Sequence, residues 1–132
     1  MAQHIPYENA LGFRVVNFSN NGQFLAAGSY DQKLRIYNHI SWKEITEFEH
    51  KKSLSEDEDI HIYCEEEYKQ GGPYNFEEES TSRYKMVDLP IKLSTVKTSN
   101  KENNPISGHG VSMVSWSHDT KYIATKNDNT PN

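Results

Sequence analysis

The stretch Asn17–Asn38, NFSNNGQFLAAGSYDQKLRIYN, decides the fold of this chain. It reads as three short strands and two tight turns with hardly a residue to spare. Phe18-Ser19 closes one strand, Asn20-Asn21-Gly22 supplies residues that tolerate positive φ in a hairpin turn, and Phe24 to Ser29 forms the second strand. Tyr30-Asp31-Gln32 turns the chain again. Lys33 to Asn38 follows with period two, placing Leu34 and Ile36 on one face and Lys33, Arg35 and Tyr37 on the other. The small residues Ala26, Ala27, Gly28 and Ser29 suit a strand with a neighbouring sheet close on each side, which a lone solvated hairpin does not need.

A second copy lies downstream. Shifted by 98 positions, Trp116-Ser117-His118-Asp119-Thr120-Lys121-Tyr122-Ile123-Ala124-Thr125 falls on Phe18 to Ala27, and the aromatic, serine, turn, aliphatic and alanine positions coincide. The pattern resembles a WD-repeat blade in which Tyr37-Asn38 stands where the family has Trp-Asp. Such repeats recur every 40 to 45 residues or so, so the spacing implies an insertion between the copies. The expected fold class is all-β: a partial WD-repeat β-propeller of about one and a half blades with a long, largely disordered acidic insertion.

Working outward, residues 1–48 form the first blade with its lead-in segment, ending in an outer strand Trp42–Phe48 anchored by Trp42 and Ile45. Residues 49–83 are the acidic flexible insertion, 84–107 short strands and a linker, and 108–132 the first half of a second blade. From Glu49 to Glu79 there are eleven acids and three bases, which leaves the rest of the chain slightly basic despite a net charge of −5. Inside the insertion Ile60–Cys64 is β-prone, Glu65-Glu66-Glu67 is expected to break it, and Gln70–Ser82 is expected to stay unfolded for want of apolar surface. Order returns at Tyr84–Asp88 and Pro90–Val96, with Pro90 interrupting the pair. Gly108-His109-Gly110 opens the second repeat, whose Val111, Val114, Trp116 and Ile123 are expected to lack partners.

Competing chemistries are poorly supplied. Cys64 is the sole cysteine and the six histidines stand at no metal-ligand spacing, so neither a disulfide, a metal site nor a cofactor is expected. No apolar run approaches the roughly 18 residues of a membrane span, Met1–Ala10 lacks the parts of a signal peptide, and a soluble intracellular protein is expected. The concentrated carboxylates argue against nucleic acid as a partner of that segment. Ser29, Asp31 and His39 offer the residue types of a catalytic triad, but the serine has no nucleophile-elbow sequence around it. Asp57 and Asp59 lack the glycine and spaced ligands of a calcium loop. A non-enzymatic interaction module is the reading that remains. Ser53 and Ser55 each precede an acid by three residues, Glu56 and Glu58, as an acidophilic kinase requires, and are candidate phosphoacceptors.

Three stretches narrow the resemblance. Phe24–Phe48, with Asn38-His39-x-x-Trp42-Lys43-x-Ile45-Thr46-Glu47-Phe48, the segment Val87–Lys97, and the tail Tyr122–Asn132, with Asn127-Asp128-Asn129-x-Pro131-Asn132, resemble consecutive parts of the WD repeat-containing protein 8 family. The resemblance implies an internal or truncated piece of a longer propeller that acts as a scaffold in the cytoplasm and cytoskeleton, at centrosomes and spindle poles. Its implied partners are a coiled-coil microtubule-anchoring protein of the SSX-interacting type and, in fungi, a minus-end-directed kinesin, with no membrane partner. The general WD pattern ties each blade through His, Ser/Thr, Asp and Trp. Here Asp31 and Ser29 match, Tyr37 replaces Trp, and His109 sits in a Gly-His pair as a structural hydrogen-bonding residue. The alternative is a generic WD-repeat adaptor whose acidic insertion binds a basic partner under control of phosphorylation.

Overall fold

The computed structural model describes residues 12–70, 79–95 and 110–130. The chain divides into two units, residues 1–52 with 94–131 and residues 53–93. All regular elements among the described residues are strands.

In the first unit, β1 (Phe13–Phe18), β2 (Phe24–Ser29), β3 (Lys33–Asn38) and β4 (Glu44–Glu49) form one antiparallel sheet in sequence order. This is the four-stranded blade expected from the sequence. β9 (Val111–Trp116) and β10 (Ile123–Asn127) form a second, two-stranded antiparallel sheet. The contact between the sheets runs from β1 and β2 to β9. Ala26, Leu34, Ile36, Val111 and Val114 make its buried centre, with Val15, Phe24, Trp116 and Ile123 packed around them. Phe24 and Trp116 stack with ring centroids 6.1 Å apart. The expectation that Val111, Val114, Trp116 and Ile123 would lack partners is therefore corrected: they are covered on the side facing the first blade. Gly28 makes the approach feasible, since a Cβ there would lie 2.7 Å from Val111 Cγ1 and 2.8 Å from Val15 Cγ1.

The two copies agree down to their hydrogen bonds. In the β1–β2 turn Ser19 N donates to Phe24 O, Gly22 N to Ser19 O, Phe24 N to Ser19 Oγ and Gln23 N to Asn21 Oδ1. In the β9–β10 turn Ser117, Thr120, Tyr122, Lys121 and Asp119 repeat all four bonds. Each first strand carries one residue more than its partner at a register shift, Arg14 in β1 and Ser112 in β9, and each strand is preceded by a glycine of positive φ, Gly12 at 95° and Gly110 at 110°. The irregularities lie 98 residues apart like the rest.

The outer strand differs from its expected bounds. It begins at Glu44, because Trp42 sits in the β3–β4 turn with a φ of 57° and cannot extend a ladder. Asn38 builds that turn: its side-chain oxygen accepts from the amides of Ile40 and Ser41, and its carbonyl from Trp42 N. Trp42 and Ile45 remain about half exposed, so neither anchors the strand.

The second unit corrects the picture of a largely disordered insertion over residues 49–83. β5 (Ser53–Leu54) pairs with β8 (Ile91–Lys92), and β6 (Ile62–Gln70) pairs with β7 (Glu79–Val87) along its whole length. Glu65-Glu66-Glu67 lies within β6. A two-stranded ribbon buries neither face, so carboxylates stay hydrated at little cost, and Glu66 gains cross-strand cations in Lys85 at 3.6 Å and Arg83 at 3.9 Å. Residues 71–78, part of the stretch expected to stay unfolded, lie outside the described residues. Because β6 and β7 take their ladder bonds from each other, replacing residues 60–88 by a short Gly/Ser bridge should leave the urea midpoint of the first unit unchanged. A loss above about 1 kcal/mol would show that the ribbon supports the blade.

Candidate interaction surface

At the end of the sheets carrying the β2–β3 turn, a network of side chains ties the strands. Asp31 Oδ1 accepts from Lys33 N at 3.2 Å, closing the turn in the manner of an Asx turn, and Gln32 takes a φ of 67°. Arg35 then reaches back to Asp31 through two bonds, Nη2 to Oδ2 at 2.7 Å and Nη1 to Oδ1 at 3.3 Å, while Nη1 also donates to Ser29 Oγ at 3.0 Å. Its Nε lies 2.8 Å from Glu47 and 4.0 Å from Glu44. Arg35 is almost completely buried, so its charge needs these carboxylates.

Ser29 and Asp31, two of the residues singled out by sequence, are thus brought together, through an arginine that sequence reasoning placed only on the strand face opposite Leu34 and Ile36. Tyr37 lies two residues further along that face, buried and edge-on to Phe13 at 6.1 Å. His109 lies outside the described residues. His39 is at the other end of the sheet, with Nδ1 2.9 Å from Gly22 O and its ring between Phe18 and Trp42, so Ser29, Asp31 and His39 form no triad. Ser53 and Ser55 are exposed, Ser53 at the start of β5.

The same end joins the blades. Arg14 Nη1 pairs with Asp128 Oδ2 at 2.7 Å, its guanidinium lies 5.9 Å from the centre of the Tyr30 ring, and Ser112 Oγ donates to Asp128 Oδ1 at 2.7 Å. The Ser112 hydroxyl first, and Arg14 with it, hold the Asp128 carboxyl below its usual range. Gln32 Oε1 accepts from Asn129 Nδ2 at 2.8 Å and Asn127 Nδ2 at 3.4 Å. At the opposite end Trp116 Nε1 donates to Asn17 O, Asn17 Nδ2 to Val114 O and Asn20 Nδ2 to Ser117 O. Asn38, Asn127 and Asn129, which mark the narrower family resemblance, therefore work as turn and junction residues.

A cleft of about 250 Å³ opens beside the network, lined by Leu34, Phe48, Glu49, His50, Ile123 and Thr125. His50 Nε2 lies 3.0 Å from Thr125 Oγ1, and burial lowers the imidazole pKa from its ordinary 6.5. The unfolded chain therefore takes up this proton first as pH falls. The junction should keep its full stability above about pH 6.5 and lose it progressively as pH drops through the folded-state value. Urea titrations should show a midpoint that declines below that pH, and His50→Gln should flatten the decline; an unchanged slope would remove His50 as its cause.

The cleft has an apolar floor and a rim able to donate and accept hydrogen bonds. Among the described residues no group of three or more His, Cys, Asp or Glu could hold a metal ion, and no helix is long and apolar enough to cross a membrane. What the surface offers is shape, hydrogen bonding and charge, the equipment of a binding face.

A four-stranded blade closed by an Asp-containing turn and seated on the first strands of a second is the geometry of a β-propeller repeat, and residues 10–38 match the WD domain, G-beta repeat family. The whole chain is 35% identical over 144 residues to WD repeat-containing protein WRAP73 of Mus musculus, and spans 30% of the length of that protein. No solved structure matches it.

Proposed function

We propose that this chain is a non-enzymatic scaffold segment of a centrosomal and spindle-pole WD-repeat protein of the WD repeat-containing protein 8 type, serving microtubule anchoring and assembly. The observation that carries this reading is a likeness to a WD-repeat protein that runs through the entire chain, insertion included, rather than through the blade alone. The Asn38–Phe48 and Asn127–Asn132 motifs, through their resemblance to the WD repeat-containing protein 8 family, support the centrosomal type. The partners are a coiled-coil microtubule-anchoring protein of the SSX-interacting type and a minus-end-directed kinesin, and the place of action is the cytoplasm and cytoskeleton at centrosomes. The described surface, with its polar network and shallow cleft, suits protein recognition.

The test is localisation with capture. A fluorescently tagged chain should concentrate at spindle poles of dividing cells and co-purify with the coiled-coil partner. Diffuse fluorescence together with no capture would sink the proposal.

A second reading rests on the sidedness of the insertion ribbon. The β6–β7 register places Tyr63 opposite Met86 and Glu65 opposite Tyr84, on the face away from Glu66 and its lysine and arginine. That face suits a basic protein segment, with phosphorylation of Ser53 and Ser55 adding negative charge nearby in sequence. Loss of binding to a lysine-rich peptide on deletion of residues 60–88 would favour it over the blade.

A further inference from the structure

Asn21-Gly22 is the sole Asn-Gly pair in the sequence, and it sits in the β1–β2 turn. An asparagine followed by glycine is the pair most open to attack by its own backbone, because no Cβ screens the glycine nitrogen. Both residues are exposed, and a Cβ added to Gly22 would meet nothing within 4 Å, so water and base reach this peptide. Blade-on-blade packing leaves the turn in solvent. Asp119, which holds the place of Asn21 in the second copy, is likewise exposed although β9 is seated on the first blade.

The turn occupies each atom that such an attack needs. Gly22 N, the nucleophile, donates to Ser19 O at 2.9 Å. The Asn21 side-chain amide, electrophile and leaving group together, is held at both ends: Oδ1 accepts from Ser19 Oγ at 2.6 Å and Gln23 N at 3.1 Å, and Nδ2 donates to Gln23 Oε1 at 3.3 Å. A hydrogen-bonded amide gives up its proton only when the bond opens, and the side chain must leave its donors before it can rotate.

We infer that Asn21-Gly22 is a latent deamidation site, closed by the turn in the folded chain and released by local opening. In the open turn the deprotonated Gly22 nitrogen bonds to Asn21 Cγ, the Cγ–Nδ2 bond breaks, and ammonia leaves carrying the proton that Gly22 N lost. Water, the only co-reactant, then opens the five-membered imide at one carbonyl or the other. Opening at Cγ leaves an ordinary aspartate; opening at the main-chain carbonyl leaves isoaspartate, with the backbone running through Cγ.

The two products differ in what they do to the blade. Aspartate at 21 reproduces the second copy, where Asp119 Oδ1 accepts from Ser117 Oγ at 2.7 Å and Lys121 N at 3.2 Å. The Ser117 hydroxyl first, and the Lys121 amide with it, hold that carboxyl below its usual range, so the turn accepts a carboxylate. Isoaspartate instead inserts a backbone atom between Ser19 and Phe24, whose mutual bonds close the turn, and the ladder beyond loses its register. A transient opening is thereby written into the covalent chain.

Peptide mapping of the full chain held in mildly alkaline buffer, with and without urea, tests this alongside hydrogen exchange of the Gly22 amide. In urea Asn21 should convert ahead of every other asparagine, to both products. In the folded chain conversion should be about tenfold or more slower, by the same factor that protects the Gly22 amide, since one opening serves both reactions. Ser19→Ala removes a donor to Asn21 Oδ1 and the acceptor of Phe24 N, so it should raise the folded rate toward the urea rate and leave the urea rate unchanged. If that variant does not fold, the match of the two factors in the unmodified chain decides alone. Equal rates with and without urea overturn the proposal. So do conversion faster than Gly22 protection allows, which would mean attack inside the closed turn, a folded Ser19→Ala chain that reacts like the unmodified one, or another asparagine reacting first in urea.

Discussion

Replacing Gly110 with alanine should loosen the seat of β9 and β10 on the first blade. Its φ is 110°, and an added Cβ would lie 2.6 Å from both Ser29 O and Tyr30 Cα, backbone atoms with no freedom to swing away. Conformational strain and the clash each contribute about 1–3 kcal/mol, so a loss of about 3 kcal/mol or more is expected in urea unfolding. Gly12 provides the control. It holds the equivalent place in the first copy with a φ of 95°, but nothing lies within 4 Å of its added Cβ. Gly12→Ala should therefore show the conformational part alone, about 1–2 kcal/mol. Equal losses at both sites would mean that the close approach of Gly110 to Ser29 and Tyr30 contributes nothing.

Arg35→Met should cost about 3 kcal/mol, because it leaves Asp31, Glu47 and Ser29 without the donor they share while keeping most of the side-chain volume. Asp31→Ala should cost less, about 1–2 kcal/mol, since Glu47 and Ser29 still hold the guanidinium while the Lys33 amide loses its acceptor. The two losses should not add in the double variant. A coupling of about 1 kcal/mol or more is expected for residues sharing a bidentate contact. Strict additivity would mean that Asp31 acts only through the turn and that the Asp31–Arg35 pair contributes nothing to the blade.

How much of this was legible beforehand depended on where the physics is local. The blade from Phe18 to Asn38 could be read because turn residues and a two-residue period are written along the chain, and its second copy because the same turn recurs at Ser117–Tyr122. Arg35 was visible as a charge on the face opposite Leu34 and Ile36. Its burial was not, since a buried arginine is decided by carboxylates on a separate strand, and nothing near Arg35 announces that Glu47 will face it. The Glu65–Glu67 run misled in the opposite sense: a charge run argues against packing, but a ribbon open to water on both faces demands no packing. Trp42 misled because a large aromatic ahead of a charged alternation looks like a strand anchor, whereas Asn38 captures the amides that follow it and turns the chain there. Asn127 and Asn129 were recognisable as family markers, but their bonds to Gln32 needed two segments more than 90 residues apart to be brought together.

The repeated turn also sets an order of opening. Gly22 and Thr120 occupy the same place, with φ of 71° and 61°, but only glycine adopts such angles without strain, and a β-branched residue there is held against its preference. Both turns close with the same four hydrogen bonds, so their amides form matched pairs whose exchange with solvent differs only through strain and neighbours. Among the described residues β10 pairs with β9 alone, whereas β2 is held between β1 and β3. Local unfolding should accordingly start at Thr120–Tyr122 and reach Gly22–Phe24 last, giving the chain a stability gradient along its own repeat. In such a gradient the second sheet behaves as a foldon of low opening energy, which can detach and reseat while the first blade stays closed.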